Sequence, residues 1–250
     1  DWENPYLTLN KEYEADELRL FADIVAQGFV YRGKKPVYWS IPCRTALAEA
    51  EVEYADHVSQ SVFVKFRIDA EKSHADTRGL IPQNAFVVIW TTTPWTLPAN
   101  LAVAYNSNLI YCFVQHETER GVENLLVATD LAQKLIEKAG LKNAKVSTVN
   151  YPGYSFQFLC YEHPFIKRFG QLLAGDSFVT AETGTGFVHI APGHGLDDYN
   201  LGRQNALPIY SPVDDDGKLA YSNELPVEQQ MPAEMVGKSI LEKHGKSDAN

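Results

Sequence analysis

The chain has 250 residues, a formal net charge of −10, 45% hydrophobic residues and 22% charged ones. These proportions suit a folded protein of one large domain with an appendage, or of two small domains, and exclude a disordered chain. No apolar stretch approaches the roughly 18 residues needed to span a bilayer, and the acidic balance argues against broad, nonspecific contact with nucleic acid.

The N-terminus, Asp1-Trp2-Glu3-Asn4-Pro5, has neither the basic start nor the apolar run of a secretion signal and does not begin with methionine, so the chain reads as a fragment. From Asn10 to Gly28, Leu18, Phe21, Ala22 and Val25 recur at helical spacing and Gly28 marks a stop. Strand signals follow in Ser61 to Ile68, Ala85 to Trp90, Leu109 to Gln115, Ser155 to Tyr161, Phe178 to Ala181 and Phe187 to Ala191. Between them a helix is expected over Asp130 to Ala139, with Thr129 as N-cap, Gly140 as stop and Leu131, Leu135 and Ile136 facing the sheet. Further helices are expected near Asp197 and near the C-terminus, the latter including Met235, Ile240 and Leu241. Asp214-Asp215-Asp216-Gly217 reads as a turn, because the alternating spacing of a calcium loop is missing. The pattern predicts an α+β fold, a β-barrel-like domain with peripheral helices and a helical N-terminal extension. Cys43, Cys112 and Cys160 are odd in number and widely spaced, which suits a reducing cytoplasm better than a disulfide framework or a zinc site.

Two segments carry chemistry. Trp90-Thr91-Thr92-Thr93-Pro94-Trp95-Thr96-Leu97-Pro98-Ala99-Asn100 places four threonines on a proline-rigid loop behind an apolar strand. Their hydroxyls donate and accept without charge, which suits binding a polar ligand or holding a water; a turn stabilised by hydroxyl-to-backbone bonds is the purely structural reading. The second segment runs from Gly184-Thr185-Gly186 through Phe187-Val188-His189-Ile190-Ala191-Pro192-Gly193-His194-Gly195 to Leu196-Asp197-Asp198-Tyr199. Its glycines precede a strand and lack the lysine of a phosphate loop, so they read as a tight turn. His189 lies within an alternating strand, and Asp197 and Asp198 stand where a helix start would use them for capping. His189, His194 and Asp198 converging on zinc is a weaker alternative, and no metal or other cofactor is expected. No serine or cysteine has an evident histidine partner, so a positioned water is the simpler nucleophile. Basic residues cluster locally at Arg32, Lys34 and Lys35, at Lys65 and Arg67, and at Lys167 and Arg168.

Together the two segments resemble the editing domain, or connective peptide 1, of class I aminoacyl-tRNA synthetases. Thr93, where valyl and leucyl members typically carry arginine, and Trp95-Thr96-Leu97-Pro98-Ala99-Asn100 look like the isoleucyl form. Lys35-Pro36-Val37-Tyr38-Trp39-Ser40 and Thr45-Ala46-Leu47-Ala48-Glu49-Ala50-Glu51-Val52-Glu53-Tyr54 look like its entry into the insertion. The resemblance implies a junction segment from the catalytic core over residues 1–45 and an editing domain over 46–250, without the synthetic, ATP-binding site of the full-length enzyme. It implies hydrolysis of valyl-tRNA(Ile), with valyl-adenylate as a second substrate, while isoleucyl-tRNA(Ile) is spared. Partners would be the tRNA 3′ end and the rest of the synthetase chain, with no membrane. It further implies that Thr92, Thr93, His189 and Asp198 are catalytic, Asp198 holding the ammonium group and His189 limiting pocket size. Thr91, Thr96, Trp95, Asn100, Gly186, Ala191 and Asp197 would bind substrate. A metal-dependent ester or amide hydrolase and a noncatalytic module binding RNA 3′ ends are the alternatives.

Overall fold

The computed structural model describes residues 2–241. The chain divides after Lys34 into two compact units. In the first, residues 11–26 form helix α1 (Lys11–Ala26), capped by the Asn10 side chain accepting the Glu12 N–H and followed by Gly28 in the left-handed region. Its apolar residues Leu18, Phe21 and Val25 are exposed.

The second unit holds a short hairpin, β1 (Tyr38–Ser40) with β2 (Thr45–Leu47), and one large mixed sheet. The sheet strands are β3 (Val62–Asp69), β4 (Ala85–Thr91), β5 (Ala102–Tyr105), β6 (Ile110–Thr118), β7 (Gly121–Ala128), β8 (Lys145–Pro152), β9 (Cys160–Glu162), β10 (Phe169–Ala174) and β11 (Phe187–Ile190). Their order is β11-β5-β10-β9-β3-β4-β7-β6-β8, with β5 parallel to β10, β4 parallel to β7, and the other neighbours antiparallel.

The expected barrel is corrected. Among the described residues the sheet has two free ends, β11 and β8, and no pairing joins them. It curls, bringing β11 against β4 although four strands separate them in the order, but hydrogen bonding does not close the circle. β8 explains why one end stays open: Lys145, Val146, Thr148, Val149 and Asn150 are exposed, and its polar composition suits an edge.

The core follows from β4, β6 and β7. Ala85, Val87, Val88 and Ile89 of β4 are buried on both faces, as a central strand requires. They pack with Leu125 to Ala128, Tyr111 to Val114 and Phe66. Helix α3 (Ala132–Ala139) covers them through Leu135 and Ile136 and ends at Gly140 with φ 62°. Thr129 is not its N-cap: it opens a 3-10 turn (Thr129–Leu131), and its hydroxyl bonds Asn150 Oδ1 at 3.3 Å. The one-turn helix α2 (Ala75–Arg78) lies between β3 and β4.

Other expectations change as well. Only the end of Ser155 to Tyr161 is strand, because Gly153–Phe156 forms a 3-10 turn ahead of β9. Phe178 to Ala181 is not strand; Phe178 and Val179 cap a turn by donating their N–H groups to the Gly175 carbonyl. In place of the C-terminal helix, Met235 ends a 3-10 turn after Pro232, and Ile240 and Leu241 are irregular. The aspartate turn is present, with the Asp214 carboxylate accepting the N–H groups of Asp216 and Lys218.

Candidate hydrolytic site

The two segments singled out in the sequence meet. Strand β4 ends at Thr91, Thr92 and Thr93 make the bend, and Pro94–Ala99 forms a 3-10 turn with proline at its start. Proline suits that position because it lacks the N–H that a helix start leaves unpaired. β11 lies antiparallel to β5, with His189 opposite Val103, and the Leu101 N–H bonds the Ile190 carbonyl at 2.9 Å. This pairing brings the end of the threonine turn alongside the histidine strand.

Contact between them is direct. Thr96 Oγ1 donates to the Thr93 carbonyl at 2.8 Å, which uses its only hydrogen. Its 3.0 Å bond to His189 Nε2 must therefore run from ring to hydroxyl, so His189 is the neutral Nε2–H tautomer. Its Nδ1 is then an acceptor, enclosed and without a hydrogen-bond partner. Burial pulls the His189 pKa down to about 4, and a charge on His194 would oppose protonation further. Thr91 Oγ1 accepts the Thr93 N–H at 3.1 Å and lies 3.2 Å from Thr93 Oγ1, while Thr92 is exposed at the bend.

Helix α4 (Leu196–Gln204) starts at Gly195 without a side-chain cap, so neither aspartate has that role. Asp198 turns back instead, its Oδ1 accepting the Ala191 N–H at 2.8 Å. Burial raises its pKa, and the Ala191 hydrogen bond opposes that rise. Gly195 makes the geometry possible, since a Cβ there would collide with Asp198 Oδ2. Asp197 is exposed and lines a different cleft of about 570 Å³ with Asp176, Asn200 and Arg203. His194, half-buried between two glycines, meets Trp95 edge-on at 5.3 Å between ring centres. Its Nε2 is enclosed, and burial lowers its pKa to about 4.

Three proposed binding residues are occupied by the fold itself. The Asn100 amide donates to the Ala102 carbonyl at 2.9 Å and accepts the Tyr161 hydroxyl at 2.7 Å. Gly186, at φ 78°, leaves room for Ala128 and accepts the Tyr111 hydroxyl through its carbonyl at 2.8 Å. Ala191 is buried with Ala99, Leu101 and Tyr210. Among the described residues no three His, Cys, Asp or Glu side chains are grouped as metal ligands would be.

A supporting layer escaped the sequence reading. His163 Nε2 donates to the Leu97 carbonyl at 2.9 Å, with burial lowering its pKa to about 3. Arg168 donates to the Pro98 carbonyl at 2.7 Å. Nothing in the local sequence separates Arg168 from an exposed basic pair with Lys167; only the pairing of β9 with β10 turns it inward.

A family model for tRNA synthetases class I (I, L, M and V) matches residues 1–214, and the chain belongs to that family. Similar relatives within the class include isoleucine–tRNA ligases. That of Prochlorococcus marinus (strain MIT 9211) is 45% identical over 230 residues, covering 87% of this chain and 23% of the relative. That of Synechocystis sp. (strain ATCC 27184 / PCC 6803 / Kazusa) is 47% identical over 222 residues, covering 88% and 22%. The chain thus spans under a quarter of the length of these curated relatives. Among solved structures it is similar to GlLeuRS-CP1, with a TM-score of 0.48 and 13% identity over 60% of this chain and 66% of that one. A cytosolic leucyl-tRNA synthetase editing domain of P. falciparum gives a TM-score of 0.42 and 15% identity over 52% and 50%.

Proposed function

We propose that this chain is the editing part of an isoleucyl-tRNA synthetase, hydrolysing valyl-tRNA(Ile) and sparing isoleucyl-tRNA(Ile). The observation that carries the reading is the bond between Thr96 and His189, which joins the threonine turn to a neutral histidine whose second nitrogen is an enclosed acceptor. The Asp198 carboxylate is fixed from the same β11 segment.

Aminoacyl esters are already activated, so orientation of a water and hydrogen bonds to the developing oxyanion supply much of the acceleration. Water attacks the ester carbonyl and the bond to the ribose oxygen breaks, releasing valine and free tRNA. In this reading the Thr92 and Thr93 hydroxyls hydrogen-bond the ester or the terminal adenosine. Asp198 is the counter-charge for the substrate ammonium, a charge-assisted contact strengthened by partial burial. His189 is the wall that admits valine and excludes isoleucine. One methylene in an apolar pocket is worth roughly 1–3 kcal/mol, a general limit for which isoleucyl-tRNA synthetases are themselves the standard example, so a second sieve is needed.

In this reading residues 1–45 are the junction from the catalytic core and 46–250 the editing domain. The tRNA 3′ end and the remaining synthetase chain are partners, valyl-adenylate is a second substrate, and the setting is cytoplasmic. The test is single-turnover deacylation of valyl-tRNA(Ile) and isoleucyl-tRNA(Ile) at high protein concentration, with and without chelator. Release of valine alone, unaffected by chelator, is expected. Loss of activity with chelator would favour a metal-dependent hydrolase, and binding without release of either amino acid would favour an RNA-end binding module.

A further inference from the structure

Behind the threonine turn lies a buried cation with no place in the chemistry above. Arg168 is only 7% exposed. One arm of its guanidinium donates to the Pro98 carbonyl at 2.7 Å and the other to the Gln229 carbonyl at 3.0 Å. The Tyr210 ring stands 5.6 Å away, and the Tyr210 carbonyl is packed so closely against Gly193 that a side chain there would collide with it. The Gln229 end is itself anchored. The next residue, Gln230, donates to the carbonyls of Ser222 and Leu225, both at 2.7 Å, and accepts the Ser222 N–H at 2.9 Å. One planar group thus joins the turn carrying Thr96 to the anchored segment, and touches the residue that backs the His194 loop.

Stability alone does not call for arginine here. Burying a charge is costly, neutral carbonyl acceptors return only part of that cost, and an apolar side chain of similar volume commonly serves a core as well or better. A guanidinium does supply a rigid fork that fixes the separation of two acceptors. We propose that Arg168 is a positioning residue: it holds the Pro94–Ala99 turn against the Gln229 segment and thereby sets where Thr96, and through it His189, stand. The catalytic consequence rests on the deacylation reading above; the geometric role does not.

The test uses the full chain, labelled with ¹⁵N-histidine, and the variants R168K, R168M and Q230A. The His189 imidazole resonances should move in R168K and R168M, while those of His116, which pairs with Glu123 in the β6–β7 hairpin, stay in place. For valyl-tRNA(Ile), kcat in R168M should fall about tenfold with KM changed by less than about twofold, and lysine should restore part of the loss. Q230A, which leaves the guanidinium intact and loosens its Gln229 anchor, should lower kcat in the same sense. An unmoved His189 resonance in folded R168K overturns the positioning role, whether or not the protein deacylates. A moved resonance with unchanged kcat overturns its catalytic consequence. If the wild type hydrolyses neither ester, the deacylation reading fails and the resonances alone decide the positioning role.

Discussion

Mild acid should destabilise this protein before most of its carboxylates titrate, because three histidines are held neutral inside it. Burial lowers His163 to about 3 and His189 and His194 to about 4, from 6.5. In the unfolded chain all three take up protons near 6.5, so between roughly pH 6.5 and 4 the unfolded state binds more protons than the folded one. The contribution is complete above that window and is lost as the pH falls through it. Each histidine costs about 1.4 kcal/mol per pH unit, hence about 3 kcal/mol or slightly more by pH 4, and about 10 kcal/mol for all three. Asp198 acts in the opposite sense, since its raised pKa lets the folded state take up that proton first. Set against the 5–15 kcal/mol of an ordinary domain, a loss approaching about 10 kcal/mol removes a large share of the stability by pH 4. Urea midpoints measured by circular dichroism from pH 7.5 to 4.5 give the slope, which should approach three protons near pH 5. His163→Gln, whose amide can still donate to the Leu97 carbonyl, should reduce it by one. A flat profile between pH 7 and 5 would refute the buried, neutral state of these rings.

Thr96→Val keeps the side-chain shape but removes the acceptor for His189 Nε2, and should cost about 1–3 kcal/mol, read as a fall of about 2–12 °C in Tm. Unchanged melting would mean that the hydroxyl does not hold the ring. Asp198→Asn can still accept the Ala191 N–H, so Tm should move little while valyl-tRNA(Ile) hydrolysis falls about tenfold or more through loss of the ammonium partner; wild-type kinetics would remove Asp198 from the site. Gly195→Ala should displace the carboxylate and impair hydrolysis in the same direction, whereas Gly79→Ala, where the added methyl meets nothing, should leave activity unchanged. Equal effects of the two alanines on activity would count against the Asp198 geometry.

The sequence announces the parts of this fold whose signals are local. β4 declares itself because a central strand must be apolar on both faces, and the threonine turn because two prolines and four hydroxyls leave little else for it to be. His189 stands out through alternation within β11. β5 went unseen because its four residues, Ala102–Tyr105, are all buried and too few to show a period. β10 was hidden by Gly170, which looks like a break but is required where the Tyr161 ring crosses the strand. The barrel expectation failed because strand count does not reveal whether the last strand meets the first. Arg168 and Asn100 show the same limit at the site: their partners, the Gln229 carbonyl and the Tyr161 hydroxyl, are each 61 residues away. Chemistry written in one segment is legible; the side chains that hold it still come from elsewhere.

Thr96 and His189 are 93 residues apart, and β5, which lies between them in sequence, pairs with both β10 and β11. The Thr96–His189 contact is thus a product of long-range pairing, whose loop-closure entropy must be overcome before pairing offsets it. During synthesis, a ribosome that has released only the threonine turn has not yet made its histidine partner, which lies 93 residues further on. Formation of that contact and completion of the curled sheet become one event, so under the proposed function a partly folded chain would hold no half-formed editing pocket.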